Sequence, residues 1–372
     1  MRRLSVVIAC PGVGHVVRGF ESFAAECFEA LAPRADLEVH LVGGRGPETP
    51  GRLTAAVPAP EDPRARLAGR LLRRDAYVGQ QVLFALAMWP IVRSLRPDVI
   101  MISDWVAAAG LGRLRRVGAG SYRLLLVNGA AGGPVFDREI DHVQHLTPAS
   151  LDVALAGGGS PEHHTLLPLG VGVPETLPAL DPGARGALRE RLGLPARGEI
   201  LLCVAALNTW AKRLPYLIEE VASLERRPHL VLLGQSEEET PEILRLARDR
   251  LGADGHTVGA VGRHGVSDYY LAADAVVLPS LYEAFGRVLV ESHGHGVPTL
   301  AHDAPWARYV LGEGGFFGDF GEPGGLAATF ERVRDHDGGP AAREARHRDA
   351  RARFAWDRLA PAYLDMLRAC AG

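Results

Sequence analysis

The sequence predicts an α/β protein built from two Rossmann-like domains, and three observations carry that expectation. The chain has 372 residues, more than one hydrophobic core usually fills, so two domains of ordinary size are expected. Short apolar strands alternate with amphipathic helical stretches in both halves, an order that gives parallel sheets covered by helices. A Pro- and Gly-rich stretch from Pro168 to Gly183 interrupts the alternation and marks a hinge. The expected boundaries are an N-terminal domain over 1–172, a C-terminal domain over 173–345, and a closing segment over 346–372 that is a candidate to pack back on the first domain.

In the first half, Leu4–Cys10 reads as a buried strand, Gly19–Ala32 as a helix with apolar spacing and Leu37–Val42 as a second strand, which makes a βαβ start. Asp98–Ser103, Tyr122–Val127 and Asp141–Leu146 read as further parallel strands, each followed by a loop at its carboxyl end, where open α/β sheets place ligands. In the second half come strand Ile200–Ala206, helix Leu214–Leu224, strand His229–Leu233 and helix Glu242–Leu251. A short strand near Thr257–Val261, strand Ala275–Pro279 and a helix from about Phe285 follow. Pro340–Arg353 is charged and helix-prone, and Trp356–Leu367 is amphipathic.

Composition excludes several function classes. With 47% apolar residues, 23% charged and a net charge of −3, the chain can bury a large core and lacks the low hydropathy of a disordered protein. Its 41 basic against 44 acidic residues lack the basic excess of nucleic-acid binding. The longest apolar run, Val82 to Val92, is interrupted by Pro90 and falls short of the ~20 residues that span a bilayer. Arg2 and Arg3 before Val6–Cys10 mimic an export signal, but the apolar run is shorter than the ~7–15 residues such a signal needs, so a first strand is expected. Cys10, Cys27, Cys203 and Cys370 show no C-x-x-C spacing, which suits reduced thiols in a cytoplasm.

Lys212 is the single lysine among the 41 basic residues. Wherever a generic positive charge serves, this chain has arginine, so Lys212 is a candidate for a compact ammonium that a guanidinium cannot replace. The most informative stretch runs from Asp274 to Glu291. A buried strand ends in Pro279-Ser280, a short turn presents Glu283 and Gly286, and a helix carries Glu291. Backbone N–H groups at that helix start suit a phosphate, and Gly286 lets the anion come close. Carboxylates eight residues apart lie up to ~12 Å apart along a helix, beyond the ~5–9.5 Å of a glycosidase pair. The gap suits the two ends of a nucleotide sugar, with Glu283 at the sugar hydroxyls and Glu291 at the ribose.

This stretch resembles the E-x7-E signature of the retaining GT-B glycosyltransferases of family 4. Glu283-Ala284-Phe285-Gly286, Glu291 and Gly296-Val297-Pro298 match, with Ala284 at a common glycine. The resemblance extends over most of the chain. It implies a GT-B fold, two Rossmann-like domains facing a cleft, the second holding a nucleotide-diphosphate sugar and the first an acceptor. Leu207-Asn208-Thr209-Trp210-Ala211-Lys212-Arg213 takes the place of the family's Gly-Arg-Leu-x-x-x-Lys-Gly segment. Lys212 then binds the donor diphosphate and stabilises the leaving group. Leu207 stands where the family has arginine, and Arg213 and Arg287 are the candidates to replace it. Glu283 and Lys212 are the expected catalytic residues; Glu291, Ala284, Phe285, Gly286, Arg287, Arg213 and Gly14 are expected at the donor.

Pro11 to Glu21 occupies the place of the family's glycine-rich loop after strand one, and there His15 and Arg18 are candidates for the sugar or acceptor. Asn128 stands where the family strand often ends in histidine; it can hydrogen-bond a sugar but cannot act as a base, and Asn128-Gly129 reads equally as a turn. The implied activity is retaining transfer of a hexosyl-type sugar to the hydroxyl of a glycan, a lipid-linked acceptor or a small-molecule natural product. A GT-B nucleotide-sugar epimerase and a non-catalytic nucleotide-sugar-binding relative are the alternatives.

Other motifs carry less. As a dinucleotide fingerprint the first loop fails, because G-x-G-x-x-G needs glycine at Val17 and strand two ends at Val42-Gly43-Gly44 without a ribose-binding acid. Asp335-His336-Asp337 spells D-x-D in a charged tail without a preceding strand and reads as a solvated loop. His293 and His295 read as packing residues, so no metal and no cofactor beyond the donor substrate are expected. Arg64, Arg66, Arg70, Arg73 and Arg74 form a basic segment that reads as a solvated helix face or as contact with an anionic membrane surface. The expected location is the cytoplasm, with the inner face of the membrane as a candidate site.

Overall fold

In the computed structural model, which describes every residue except 1, 17, 61, 119, 130–137, 179–180 and 337–338, the first strand is β1 (Leu4–Cys10). Val6 to Cys10 are buried in succession, as a parallel strand covered on both faces requires. Then come α1 (Gly19–Leu31), β2 (Leu37–Gly43), β3 (Arg52–Thr54), α2 (Pro63–Leu71), α3 (Ala76–Leu95), β4 (Val99–Ile102) and α4 (Trp105–Arg116). They are followed by β5 (Arg123–Val127), β6 (His142–His145), α5 (Pro148–Ala156) and β7 (His164–Leu166). These strands form a parallel sheet in the order β3-β2-β1-β4-β5-β6-β7. The chain reverses its direction of travel between β1 and β4, the switch point at which open α/β sheets bind ligands.

The second half supplies α6 (Pro182–Arg191), β8 (Ile200–Val204), α7 (Leu214–Ser223), β9 (His229–Leu233), α8 (Thr240–Leu251), β10 (His256–Gly259), α9 (Val266–Ala272) and β11 (Ala275–Leu278). It continues with α10 (Arg287–Gly294), β12 (Thr299–His302), α11 (Pro305–Leu311), β13 (Gly315–Gly318), α12 (Gly325–Asp335) and α13 (Pro340–Phe354). Its parallel sheet runs β10-β9-β8-β11-β12-β13, with the switch between β8 and β11. Alternate strand residues feed two cores on opposite faces: Leu201, Leu230, Leu232 and Val277 on one, Ile200, Leu202, Val231 and Val276 on the other.

The chain divides into Met1–Gly170 with Trp356–Gly372, and Val171–Ala355. The last helix, α14 (Trp356–Ala371), belongs to the first unit, packing on α1, β4 and β5. Its Trp356 ring stacks on Phe23 at 5.8 Å and its indole N–H donates to Glu26 Oε2 at 3.0 Å. The return falls at Trp356, later than residue 346, because α13 is one unbroken helix packed on α10.

Three elements differ from expectation for identifiable reasons. Helix α3 runs through Pro90 and is capped at its start by Asp75, whose Oδ1 accepts from the Val78 N–H at 2.8 Å. It is long and apolar enough to cross a membrane by length and composition, yet it packs on α2 and α4 and sends Phe84, Ala85, Met88 and Val92 into the core. Strand β8 stops at Val204, because the Leu207 N–H donates to the Gln235 carbonyl at 3.1 Å and the chain turns toward the end of β9. Helix α10 starts at Arg287, because Gly286 precedes it at φ +79°, outside helical geometry.

Candidate active site

The loops leaving β8 and β11 flank the switch point of the second sheet, and each brings one of the two expected catalytic residues. Lys212 follows β8 and Glu283 follows β11, and the Lys212 ammonium forms an ion pair with Glu283 Oε1. Their side chains keep 23% and 16% of their surface exposed, enough for a ligand to reach them.

The loop carrying Lys212 is tied to the loop after β9. The Lys212 N–H donates to Asn208 Oδ1 at 2.9 Å, and Asn208 Nδ2 donates to Glu237 Oε2 at 3.0 Å. The Thr209 N–H donates to Glu239 Oε2 at 2.6 Å, and the Thr240 hydroxyl donates to the Leu207 carbonyl at 3.0 Å. Leu207 is buried in the core formed with Leu201 and Leu214, so its position serves packing. Cys203 of β8 lies in the field of the pair; burial pushes its thiol up to about 12, Lys212 opposes and Glu283 adds.

Glu291 sits on α10, where Tyr270 of α9 donates its hydroxyl to Oε2 at 2.8 Å and Arg287 approaches Oε1 at 3.4 Å. Burial first, and then Glu291, raise the Tyr270 hydroxyl well above its ordinary value, so it stays a donor at any working pH. His295 Nδ1 donates to the Glu291 carbonyl at 2.7 Å and its ring lies 5.1 Å from Tyr270. Of the two candidates for the absent arginine, Arg287 is buried beside Glu291, while Arg213 stacks 4.2 Å over Tyr216 and donates to the Phe320 carbonyl.

The turn between Glu283 and α10 is fixed by packing. Gly286 takes a left-handed conformation, and a Cβ there would sit 3.1 Å from the Trp306 ring, which donates its N–H to the Leu281 carbonyl at 3.2 Å. Ala284 is half-buried. Phe285, expected at the donor, turns its ring into the core, edge-on to Phe354 at 5.6 Å, which leaves its main chain to meet a ligand. His293 and His295 are buried; burial first, then Arg346 and Arg353, lower His293 to about 3.

In the first unit, Gly14 has φ +85° and a Cβ there would sit 2.0 Å from the Arg45 carbonyl oxygen. The loops after β1 and β2 are thereby held in contact, with the Gly44 and Arg45 N–H groups both donating to the Val13 carbonyl at 3.1 Å. The His15 ring lies against Gly44, whose Cβ would meet Nε2 at 2.6 Å. Arg18 is the extended residue that starts α1. Asn128 is buried after β5 and donates from Nδ2 to the Ser150 hydroxyl at 3.2 Å, and Ser150 also bonds His145 Nδ1 at 2.9 Å. Ala130, which follows it, lies outside the described residues, as does Asp337; Asp335 is the last residue of α12.

Sequence reasoning missed two carboxyls at the switch point of the first sheet. Asp104 follows β4 and accepts from the Tyr77 hydroxyl at 2.6 Å. Glu21 reaches back under the β1 loop so closely that a Cβ on Gly12 would sit 1.9 Å from its Oε1. Burial raises both carboxyls above their ordinary range. A carboxylate two residues past the end of the apolar strand Val99–Ile102 was the available signal for Asp104.

Residues 184–352 match the family model described as glycosyl transferases group 1. The D-inositol 3-phosphate glycosyltransferase of Xylanimonas cellulosilytica is 32% identical over 50% of this chain and 46% of that protein. The mannosylfructose-phosphate synthase of Agrobacterium fabrum is 29% identical over 62% and 53%. The chain thus spans about half the length of these curated relatives. Among solved structures, a sucrose-phosphate synthase from Thermosynechococcus elongatus superposes with a TM-score of 0.80 at 19% identity, covering 98% of each chain. Anabaena HepE in complex with UDP-glucose superposes with a TM-score of 0.75 at 18% identity, covering 99% of this chain and 100% of that one. At such identities the likeness shows the fold, which is GT-B.

Proposed function

We propose that this chain, whose residues 184–352 match the family model described as glycosyl transferases group 1, is such an enzyme and moves a hexosyl-type sugar from a nucleotide-diphosphate donor to an acceptor hydroxyl with retention at the anomeric carbon. The observation that carries the reading is the Lys212–Glu283 pair at the carboxyl ends of β8 and β11, with Glu291 eight residues further on against Tyr270 and Arg287. In this scheme the donor diphosphate takes the Lys212 ammonium, which neutralises the departing charge. Glu283, released from its ion pair, orients the sugar and supports positive charge near the anomeric carbon. Glu291 holds the ribose. The acceptor hydroxyl attacks from the leaving-group face, the anomeric C–O bond to the diphosphate breaks, and a phosphate oxygen of the leaving group takes the hydroxyl proton.

The reaction requires no metal in this scheme, because the ammonium does the work of a cation at the diphosphate. Glu283→Gln abolishes transfer, followed by mass spectrometry of candidate acceptors with UDP- and ADP-sugars, while the fold and nucleotide binding persist. Donor consumed by the wild type with an altered sugar and no acceptor product identifies an epimerase instead. Binding without turnover for any acceptor identifies a non-catalytic relative.

A cytoplasmic enzyme working at an anionic membrane face fits the surface of α2. Arg64, Arg66, Arg70, Arg73 and Arg74 are all exposed, and Leu67, Leu71 and Leu72 beside them are exposed at 58%, 76% and 47%. Apolar insertion with flanking cations is the chemistry of interfacial helices. Replacing the five arginines by glutamine abolishes sedimentation with phosphatidylglycerol vesicles, and sedimentation that persists removes this part of the reading.

A further inference from the structure

The second unit has a cavity of about 310 Å³ at the amino ends of its strands, lined by Arg185, Asp274, Glu199, Arg334, His336 and Arg343 among others. Glu199 and Asp274 immediately precede β8 and β11, whereas Lys212 and Glu283 follow them. Strands of this length, at ~3.3 Å per residue, put roughly 13–16 Å between the two places.

Its charges are unequally matched. Arg334 is committed to Glu199 and Glu331, and Arg185 pairs with Asp274 at 2.9 Å, sharing that carboxylate with Arg189 at 2.7 Å. Among the described residues nothing pairs with the Arg343 guanidinium; burial first, then Arg185, pull its basicity down. One turn further along α13, Arg346 is 7% exposed, donates from Nε to the carbonyl of Gly296 in the cavity wall, and has no partner for Nη2. Arg343 thus stands in the cavity without an acid of its own, within the field of Arg185, whose carboxylate already serves two arginines.

The geometry points to this cavity as a binding site for a small multivalent oxyanion of the phosphate or carboxylate class, held chiefly by Arg343 and Arg185. A free arginine in a cavity presents a planar fork that accepts such an anion through two parallel bonds, and the volume matches the lower end of small-molecule pockets. Because the cavity lies at the opposite strand ends from Lys212, occupancy there is independent of the proposed transfer reaction.

The test uses the full chain, with inorganic phosphate and, separately, citrate titrated at ionic strength held constant with chloride, read by thermal shift and calorimetry. Wild type and Lys212→Ala bind at least one of the two anions saturably, and Arg343→Gln weakens that binding about tenfold or more, the scale of a lost charge-assisted pair. Whichever anion binds names the class. Without added anion, Arg343→Gln is at least as stable as wild type, since it removes a repelled charge. The proposal is overturned if neither anion acts beyond chloride, if Arg343→Gln binds as wild type does, or if Lys212→Ala alone abolishes the effect. Lower stability of Arg343→Gln in anion-free buffer overturns it too, because the arginine then serves the fold.

Discussion

Tyr270→Phe separates the nucleotide end of the proposed donor site from its sugar end. The substitution deletes one oxygen from a ring that is 2% exposed and leaves the packing against His295 in place. What is lost is the 2.8 Å bond from the hydroxyl to Glu291 Oε2. A hydrogen bond to a charged group contributes about 1.5–3 kcal/mol, and 1.4 kcal/mol is a factor of ten in affinity. The Glu291 side chain is 25% exposed, so water replaces part of the loss in the free protein and stability falls by only ~1 kcal/mol. If Glu291 must be held still to grip the ribose, the remaining loss appears in binding. Affinity for the nucleoside diphosphate, measured by calorimetry, then falls about tenfold, KM for the donor rises in parallel, and kcat stays within about twofold. A tenfold drop in kcat at constant KM would refute the assignment of Glu291 to the nucleotide end, and unchanged binding would refute any role for the Tyr270 bond.

Other expectations follow from single contacts. Gly286→Ala places a Cβ at φ +79° against Trp306 and costs about 1–2 kcal/mol from backbone strain alone; a melting temperature equal to wild type would show that the turn relaxes freely. Trp356→Ala removes the stack on Phe23 and the bond to Glu26; the ring is half-buried, so stability falls by about 2 kcal/mol, less than the ~3–5 kcal/mol of a fully buried aromatic truncation, and unchanged melts would mean that α14 is held elsewhere. His142 and His145 are both lowered to about 4 by burial and by their histidine neighbours. The unfolded chain, with ordinary histidines near 6.5, binds more protons between those values, so stability is full above pH 6.5 and is lost as pH falls toward 4. His142→Asn flattens that slope in thermal melts from pH 7 to 4, and an unchanged slope places the loss in other groups.

The sequence revealed what depends on local pattern. Runs such as Leu4–Cys10 and His229–Leu233 gave strands with the observed bounds because short, mostly apolar stretches closed by Pro11-Gly12 and by Gly234 have few other solutions. Lys212 and Glu283 were legible through their place after β8 and β11 and through the scarcity of lysine. Their mutual contact was not, since it joins residues 71 positions apart. Tyr270 was invisible for a related reason: it sits in an ordinary amphipathic turn of α9, and only folding carries its hydroxyl to a carboxylate 21 residues onward. Helix α3 was not legible, because Pro90 interrupts the apolar run from Val82 to Val92 and a proline is a strong local stop signal, while burial of the face from Phe84 to Val92 outweighs the one backbone bond it removes.

The Lys212–Glu283 pair bears on why a lysine survives at this one place. On the proposed function, an ammonium bonded to a carboxylate changes partners as the donor diphosphate binds, and a compact point charge on a flexible stem can turn between two acceptors without breaking a fixed fork. Arginine at 212 would form parallel bonds to Glu283 and hold the resting arrangement more firmly, which opposes release of the carboxylate toward a sugar. Lys212→Arg therefore keeps the positive charge but binds nucleoside diphosphate more weakly and transfers more slowly than the wild type. Activity at the wild-type level in that variant would show that charge alone suffices and that the lone lysine is an accident of composition.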